Sequence, residues 1–505
     1  MPAAMEEKPK PAAEPDSHGV AQDINWGDYR DHLTTADKDG HRRWLYPKKP
    51  SGFWHEHRKH LSWLLIAIMF AGPWIRINGN PLLLVNIVER RFSILGQIFW
   101  PQDTLIFAVA MLVFFAGIMI FTTAFGRLWC GWTCPQTVMM EMVFRKLEYL
   151  IEGDAAEQRA LDAAPWTAGK FAKKAFKHTV FFGASFIVGN TLLAYIIGSE
   201  QLLRIQLDDP RNHIAGLTFM TLFSLLFYAI FARFREQACT FICPYGRFQS
   251  ALLDENTLIV AYDNKRGETR APLHRGETFV QRKTEGKGDC VNCRACVAVC
   301  PTGIDIRNGV QMECVNCTAC IDACDTIMDK IGRPRGLVRY ASLDNIAHGT
   351  PQRFTARMKL YAAVLTGLIT LFLYLVFTRS DVETTLLRAP GSLFQVTADG
   401  RIENLYTVKV VNKTMHDIPV ELRLEGRPGK VRVMGGSDFI VPAAKLAQTS
   451  VLIELKPKQL DGASTKLKLG VYSHGKLLET VNTAFVGPRS SEHDEEHEKH
   501  ERERH

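Results

Sequence analysis

Five apolar stretches interrupt an otherwise polar chain of 505 residues and limit its fold more than any other feature. The last four carry no charged residue and are close to the roughly 20 residues that a helix needs to cross a bilayer. The first is short and contains Pro73, which makes it the weakest of the set. Together they predict a bundle of five transmembrane helices at residues 61–77, 104–125, 179–198, 214–232 and 360–378.

Lysine and arginine are spread unequally over the segments that join these stretches. Ten lie in residues 1–60, eight in 126–178 and nineteen in 233–359, whereas residues 78–103 and 199–213 hold two each. Basic flanks stay on the cytoplasmic side, so the N-terminus is predicted to be cytoplasmic and the C-terminus to lie across the membrane. The N-terminal region has no early apolar core, which argues against a cleaved signal peptide. The net charge of +8 reflects these flanks and does not indicate nucleic-acid binding.

Eight of the twelve cysteines lie between residues 290 and 324, in two runs with the spacing CxxCxxCxxxC. This is the pattern of bacterial two-cluster ferredoxins, in which the remote fourth cysteine of each run binds the other cluster. Disulfides are disfavoured on the predicted cytoplasmic side of the membrane. Structural zinc is disfavoured by the spacing, because zinc sites usually show two CxxC pairs at a longer separation. Asp325 stands where proline commonly follows the second run, and its charge is expected to lower the reduction potential of the neighbouring cluster. The predicted ligands are Cys290, Cys293, Cys296 and Cys324 for one [4Fe-4S] cluster and Cys314, Cys317, Cys320 and Cys300 for the other.

The other four cysteines form two CxxxCP pairs, each just after an apolar hairpin. The pairs follow Phe125-Gly126-Arg127 and Phe231-Ala232-Arg233, which indicates a weak internal repeat that brings both motifs to one membrane face. A four-residue offset would place both sulfurs on one helix face, and the prolines would mark a turn or a new helix. Four thiolates could hold a third cluster or a soft metal such as Cu(I), or the thiols could simply pack. The four are Cys130, Cys134, Cys239 and Cys243.

Other metal-ligand candidates are weaker. The methionines after the first pair could offer thioethers to copper, but packing is the preferred interpretation. Histidines at the ends of the apolar stretches do not face one another as haem ligands would. The charged tail, residues 489–505, is predicted to be disordered, with metal scavenging as the minor alternative. These side chains are Met139, Met140 and Met142, then His55, His57, His60, His178 and His213, and in the tail His493, His497 and His500.

The C-terminal third changes to short alternating runs separated by Gly, Pro, Asn and Asp. About seven or eight runs in ~100 residues predict an antiparallel β-sandwich of immunoglobulin-like type. It contains no cysteine, which is compatible with an oxidising compartment. The predicted organisation is a tail (1–60), four transmembrane helices with both CxxxCP motifs (61–264), a ferredoxin-like module (265–358), a fifth helix (359–379), the sandwich (385–488) and a charged tail (489–505).

Paired CxxxCP motifs, a two-cluster ferredoxin module and a cysteine-free sandwich together resemble the cytochrome c oxidase accessory proteins of the CcoG/FixG family. The match covers residues from about 40 to 488. The resemblance implies a role in assembling a cbb3-type oxidase by reducing Cu(II) to Cu(I), with copper contacting the CxxxCP cysteines. It also implies a bacterial inner-membrane protein with cytoplasmic clusters and a periplasmic sandwich.

Three functions therefore remain open. The protein is a membrane cupric reductase, an electron relay from quinol or a ferredoxin to another redox partner, or a non-catalytic scaffold for oxidase assembly. The absence of CxxCH and GxGxxG motifs weighs against the relay, and the crossed cluster pattern weighs against the scaffold. The expected partners are a cytoplasmic electron donor, copper, and oxidase subunits or copper chaperones, and the sequence leaves a homo-oligomer open.

Overall fold

The computed structural model describes Thr35 and residues 41–488 apart from short gaps. The gaps are residues 78, 87–90, 95, 100–102, 352–353, 390–393, 398, 415, 435–438 and 444. Most of the predicted N-terminal tail, and the whole C-terminal tail with His493, His497 and His500, lie outside the described residues. The chain forms two compact units, the first from residues up to 70, 114–190 and 213–365, the second from 71–113, 191–212 and 366 onwards.

Helices supply most of the first unit and connect it along the chain to the second. In chain order they are α1 (Phe53–Ala71), α2 (Thr104–Phe125), α3 (Leu128–Trp132), α4 (Pro135–Met139), α5 (Arg145–Glu152), α6 (Ala155–Ala163), α7 (Ala168–Ile197), α8 (Ser199–Leu207), α9 (Ile214–Ala229), α10 (Pro244–Phe248), α11 (Asn264–Gly267), α12 (Phe279–Thr284), α13 (Ala295–Ala298), α14 (Ala319–Lys330), α15 (Leu343–His348) and α16 (Ala356–Phe377). Three π-helical stretches extend or join them, at Met140–Phe144, Ile230–Phe234 and Ala238–Ile242. Short 3-10 turns lie at Pro210–Asn212, Gln249–Ala251, Ile306–Asn308 and Pro457–Gln459.

Four helices of the described chain, and not five, are long and apolar enough to cross a membrane. They are Thr104–Phe125, Ala168–Ile197, Ile214–Phe234 and Ala356–Phe377. The predicted first span, residues 61–77, is not one helix, because α1 ends at Ala71 and the chain is a strand at Arg76–Ile77. Pro73 lies at this break, where it removes a backbone donor and disfavours helical geometry in the residue before it.

The two hairpins end in the same way just before their cysteines. Helix α2 stops before Gly126 at φ +56°, and the π-helical stretch after α9 stops before Arg235 at φ +52°. Each of these residues stands four positions before the first cysteine of its CxxxCP motif. The structural repeat therefore pairs Gly126 with Arg235, whereas the sequence pattern predicted a match with Ala232, three residues earlier. The difference arises because the second helix continues as a π-helical turn.

A small antiparallel sheet frames the dense cysteine region. Strand β6 (Ile259–Tyr262) pairs with β7 (Val338–Ala341), and between them the chain forms both cysteine loops. The core under this sheet combines apolar side chains with cysteines, among them Val260, Cys296 and Met328. This sheet begins before residue 265, where the sequence pattern placed the module boundary.

The second unit contains two small sheets and a β-sandwich. The small sheets consist of β1 (Arg76–Ile77) with β2 (Asn80–Pro81), and of β3 (Leu83–Asn86), β4 (Arg91–Ile94) and β5 (Gln97–Phe99). The sandwich strands are β8 (Val382–Arg388), β9 (Gln395–Val396), β10 (Ile402–Asn412), β11 (Ile418–Glu425), β12 (Lys430–Val433), β13 (Phe439–Val441), β14 (Leu446–Leu455), β15 (Ser464–Ser473) and β16 (Lys476–Val486).

All pairings in the sandwich are antiparallel, as its alternating sequence predicts. One sheet has the order β12-β14-β10-β8 with β9 beside β10, and the other has the order β13-β11-β15-β16. Strand β10 alternates buried and half-buried residues along most of its length, the pattern of a strand with one face on a core. Tyr406, Val451, Leu469 and Phe485 are fully buried in that core.

Candidate metal centres

The two cysteine runs fold into loops with matching backbone geometry. Both read Cys-Val-Asn-Cys-x-Ala-Cys, and in both the residues before and after the middle cysteine have positive φ. Left-handed residues alternating with ordinary ones turn successive backbone amides toward one concave side, which suits an anionic group. The four left-handed residues are Asn292 (φ 53°), Arg294 (55°), Asn316 (54°) and Thr318 (66°).

The first loop lines a cavity of about 350 Å³, here called the outer cavity. Its remaining wall is largely apolar and includes Ile327, Met328 and Leu337. Among the twelve cysteines, all of them within the described residues, Cys293 alone is exposed to solvent. The cysteines that border the outer cavity are Cys290, Cys293, Cys296 and Cys324.

The second loop lines a cavity of about 340 Å³, here called the inner cavity. Val260, Ile304 and Ile306 complete much of its wall, and Cys296 borders this cavity as well as the outer one. The remaining cysteines at the inner cavity are Cys300, Cys314, Cys317 and Cys320. Apart from the shared Cys296, each cavity thus collects three cysteines of one run and the last cysteine of the other, the grouping that the ferredoxin spacing predicts.

Two short helical segments carry the chain between the cavities. Cys320 and Cys324 lie one turn apart on α14, the first at the inner cavity and the second at the outer cavity. Cys296 on α13 and Cys300 just beyond it make the same connection in the opposite direction. In each case a spacing of four residues, about one helical turn, is enough for the chain to reach from one cavity to the other.

The electrostatics of these thiols suit a bound cationic centre. Burial raises the pKa of the thiols of Cys296, Cys314 and Cys324 to about 12 and that of Cys317 to about 11. Unliganded thiols in these surroundings would stay protonated, whereas a positively charged metal centre displaces the protons. The donor set and its surroundings therefore fit [4Fe-4S] clusters, which would supply one-electron transfer.

The CxxxCP cysteines form a third group, here called the paired-motif site: Cys130, Cys134, Cys239 and Cys243. Burial and then the thiols of Cys134, Cys130 and Cys243 raise the pKa of Cys239 to about 12, so the two motifs lie near enough to interact electrostatically. Burial raises the pKa of Cys130 to about 11, and the Gln249 amide donates to its sulfur at 3.1 Å. Gly246 lies so close to the Cys239 carbonyl that a Cβ there would approach it to 2.3 Å.

Each CxxxC pair is split between two helices, contrary to the expectation of a single helix face. Cys130 lies within α3, whereas Cys134 has extended backbone and caps α4. Cys239 belongs to a π-helical stretch, and Cys243 follows it with extended backbone. Pro135 begins α4 and Pro244 begins α10, because proline fits the first turn of a helix, where no backbone donor is needed.

The paired-motif site is in direct contact with the inner cavity. Gly131, between the first two motif cysteines, packs on the loop that carries Cys314 and Cys317. A Cβ on Gly131 would lie 2.3 Å from the Val315 carbonyl oxygen. A further cavity of about 350 Å³ is lined by Cys239 on one side and by Thr302 and Val315 of the inner-cavity wall on the other.

Arginine side chains hold these loops together. The Arg58 Nε donates to the Gly131 carbonyl at 2.6 Å. Arg127 donates to the Gly246 carbonyl at 2.6 Å and also to the Met312 carbonyl, just before the second cysteine run. The Trp132 indole donates to the Tyr340 hydroxyl at 3.1 Å, which ties the first motif to strand β7. Sequence patterns give no signal for Arg58, since it stands far from any motif along the chain.

A buried ionic network lies next to the paired-motif site. The Arg235 guanidinium donates twice to Glu148, at 3.1 and 2.8 Å, and Lys177 contacts the same carboxylate at 3.3 Å. Arg145 pairs with Glu141 at 3.1 Å in a fully buried position. The spacing of Glu141, Arg145 and Glu148 on one helical stretch is the sequence signal for this network. The signal is weak, because charges at a membrane edge are usually solvated.

The weaker candidates remain outside the metal centres. Met139, Met140 and Met142 are almost completely buried, as packing methionines would be, although Met140 borders the cavity beside Cys239. Burial lowers the pKa of His55 to about 4. Within the described residues, no three side chains of His, Cys, Asp or Glu form a group that could hold a single metal ion.

Three family models match the chain. A 4Fe-4S dicluster domain matches residues 234–343, which contain ten of the twelve cysteines. A 4Fe-4S binding domain matches residues 107–151, which contain Cys130 and Cys134. The Ig-like fold at the C-terminus of FixG matches residues 372–488. With four apolar helices of spanning length, these matches define a membrane-associated iron–sulfur electron-transfer protein with an Ig-like domain.

Curated relatives give the family. The chain is 34% identical to protein RdxA of Cereibacter sphaeroides over 88% of its own length and 98% of that protein. It is 33% identical to nitrogen fixation protein FixG of Rhizobium meliloti over 78% of its own length and 82% of that protein. A crystal structure of a FixG-related protein from Vibrio parahaemolyticus covers 21% of the chain at 21% identity and a TM-score of 0.19. The chain belongs to the FixG family.

Proposed function

We propose that the protein reduces Cu(II) to Cu(I) at the paired-motif site during assembly of a cbb3-type cytochrome c oxidase. The observation that carries the proposal is the contact of Gly131 with the Val315 carbonyl. It brings the segment between Cys130 and Cys134 directly against the wall of the inner cavity. An electron at the inner cavity would therefore reach these thiols over a short path.

The proposed ligands divide the twelve cysteines among three roles. Cys290, Cys293, Cys296 and Cys324 hold the outer [4Fe-4S] cluster, and Cys300, Cys314, Cys317 and Cys320 hold the inner one. Cys130, Cys134, Cys239 and Cys243 receive the copper substrate, which would draw their thiols together, since in this structure they form no group that could already hold a metal ion. The clusters, when bound, supply single electrons, and each electron converts one Cu(II) into one Cu(I) with no bond to break. Soft thiolate sulfurs favour Cu(I) over Cu(II), so these side chains stabilise the product.

The topology predicted from the sequence supports the same scheme. The distribution of lysine and arginine favours cytoplasmic clusters and a periplasmic sandwich in the inner membrane. A cytoplasmic one-electron donor would then reach the exposed Cys293, and the sandwich would be available to oxidase subunits or a copper chaperone. The helix α1 would be a fifth, shorter membrane segment.

The experiment is anaerobic purification followed by iron and copper quantification and a Cu(I)-chelator assay. Wild type is expected to hold about eight irons and to form Cu(I). Cys130→Ser and Cys243→Ser are expected to keep that iron and lose Cu(I) formation. Cys293→Ser is the matched control, because it is expected to lose iron from the outer cavity only.

A third cluster at the paired-motif site is the second candidate. The match of a 4Fe-4S binding domain to residues 107–151, around Cys130 and Cys134, favours it. On this alternative the protein relays electrons to another redox partner and holds about twelve irons, about four of which depend on Cys130 and Cys243. A scaffold role predicts instead that Cys293→Ser with Cys317→Ser still supports oxidase assembly.

A further inference from the structure

Two buried arginines without carboxylate partners donate to backbone carbonyls of the loops next to the inner cavity. Arg58 is 2% exposed, its Nε donates to Gly131, and its Nη2 has no hydrogen-bond partner. Arg127 is 7% exposed and its guanidinium donates to two backbone carbonyls. Within the described residues neither forms an ion pair, although the buried Arg145 and Arg235 nearby both do. Carbonyl dipoles alone leave the two positive charges uncompensated.

Hydrogen bonds place both arginines beside the loop of the second cysteine run. Arg58 donates to the Gly131 carbonyl, and Gly131 packs on the Val315 carbonyl of that loop. Arg127 donates to the Met312 carbonyl, just before the same run, and to the Gly246 carbonyl. An uncompensated buried cation is costly, so these positions indicate a negative group near both arginines.

The outer cavity has the opposite surroundings. The buried arginines beside the outer cavity have carboxylate partners: Arg307 donates to Asp305 at 2.8 and 2.6 Å, and Arg282, which donates to the Cys290 carbonyl, pairs with Glu277 at 3.6 Å. Asp325 adds a negative charge beside Cys324. Arg294 also borders this cavity, but its side chain is exposed, so that solvent and salt screen its charge.

We propose that Arg58 and Arg127 raise the reduction potential of the inner centre above that of the outer centre. A thiolate-ligated cluster becomes more negative when it is reduced, so a fixed buried cation stabilises the reduced form. A hydrogen bond from the free Arg58 Nη2 to a sulfur of the inner centre would also raise its reduction potential. Electrons that arrive at the exposed Cys293 then move toward the inner centre and remain beside the paired-motif site. The inference rests on the proposed cluster ligands and not on copper as the substrate.

The test is a potentiometric titration of the full chain, purified without oxygen and followed by electron paramagnetic resonance. Cys317→Ser and Cys293→Ser assign the signals to the inner and outer centres. Arg58→Gln is expected to shift the inner signal to lower potential and leave the outer signal in place. Arg127→Gln is expected to do the same. The matched control is Arg335→Gln, an exposed arginine of the same module paired with Asp329 at 2.8 Å, and it should shift neither signal.

Arg58→Lys separates the effect of charge from that of folding. It retains the charge and loses the guanidinium donor, so its shift should be in the same direction and smaller than that of Arg58→Gln. Equal shifts of both signals, no shift, or a larger shift for lysine than for glutamine would overturn the inference. Correct potentials without Cu(I) formation would instead contradict only the proposed substrate.

Discussion

At the residue scale, the buried pair of Arg235 and Glu148 has the clearest energetic consequence. Both side chains are 3% exposed and share two hydrogen bonds. Removing one partner of a buried pair leaves an uncompensated charge, which typically costs about 3–5 kcal/mol. Arg235→Gln is therefore expected to lower the free energy of unfolding by about 3 kcal/mol, measured by denaturation in detergent.

The control for this prediction is Arg335→Gln. That side chain and its partner Asp329 are 66% and 46% exposed, so the loss should stay below about 1 kcal/mol. Equal losses for the two variants would show that the Glu148 pair is effectively solvated. Arg235 also has positive φ, where glycine is favoured, so Arg235→Gly would relieve the backbone while removing the pair.

Gly131 provides a second test at the residue scale. In Gly131→Ala the new methyl would lie 2.3 Å from the Val315 carbonyl oxygen, so the first motif must move away from the inner-cavity loop. We expect unchanged iron content and slower electron transfer to the paired-motif site, measured as the rate of Cu(I) formation after chemical reduction. Gly117→Ala is the control, because a Cβ at that position would have no atom within 4 Å outside its own helix turn. An undiminished rate would mean that electrons do not use this contact.

The cysteine spacing predicts two sets of cluster ligands, and each set lines one cavity, because side chains at fixed short intervals leave the chain few ways to surround one space. The cluster ligation itself stays a prediction. The unpaired charges of Arg58 and Arg127 could not be predicted. Their partners are backbone carbonyls brought close only by the tertiary fold. The left-handed backbone conformation of Arg294 and Thr318 could not be predicted either, since neither residue type favours positive φ.

At the element scale, Asp103 connects the start of α2 to the sandwich within the second unit. Its carboxylate pairs with Arg379 at 2.6 Å and with Lys413 at 2.7 Å, and all three side chains are nearly buried. Asp103→Asn should therefore destabilise the second unit by about 3 kcal/mol, seen as a lower melting temperature of the sandwich in full-length protein.

Glu421→Gln is the control for the Asp103 prediction. It removes an exposed pair with Arg423 in the same sandwich, and its effect should be within about 1 kcal/mol. A similar melting temperature for both variants would mean that Asp103 does not hold α2 to the sandwich.

The sequence predicts elements with a strong hydrophobic pattern, but it does not predict elements that depend on tertiary contacts. Alternation in β10 and long apolar runs such as α2 and α16 reflect one dominant environment, a core face or a lipid phase. Helix α1 differs, because it begins in a polar segment whose first amides donate to Asp322, between Cys320 and Cys324. Only the folded module provides that cap. The apolar pattern therefore predicts a helix start at residue 61, whereas α1 begins at Phe53.

At the scale of the whole molecule, the central prediction is that α16 separates the ferredoxin-like module from the sandwich across the membrane. This helix has 22 residues and high hydropathy, and none of its most apolar window is buried in the protein. Nineteen basic residues lie in 233–359, before and at its start, which favours a cytoplasmic location for that side.

Alkaline phosphatase, active only in the periplasm, should therefore be active when fused after residue 488 and inactive when fused after residue 348. A green fluorescent protein fusion at each point should give the reverse result and controls for expression. Activity of phosphatase at residue 348 would place the clusters outside the cytoplasm and remove the proposed route from a cytoplasmic donor through Cys293.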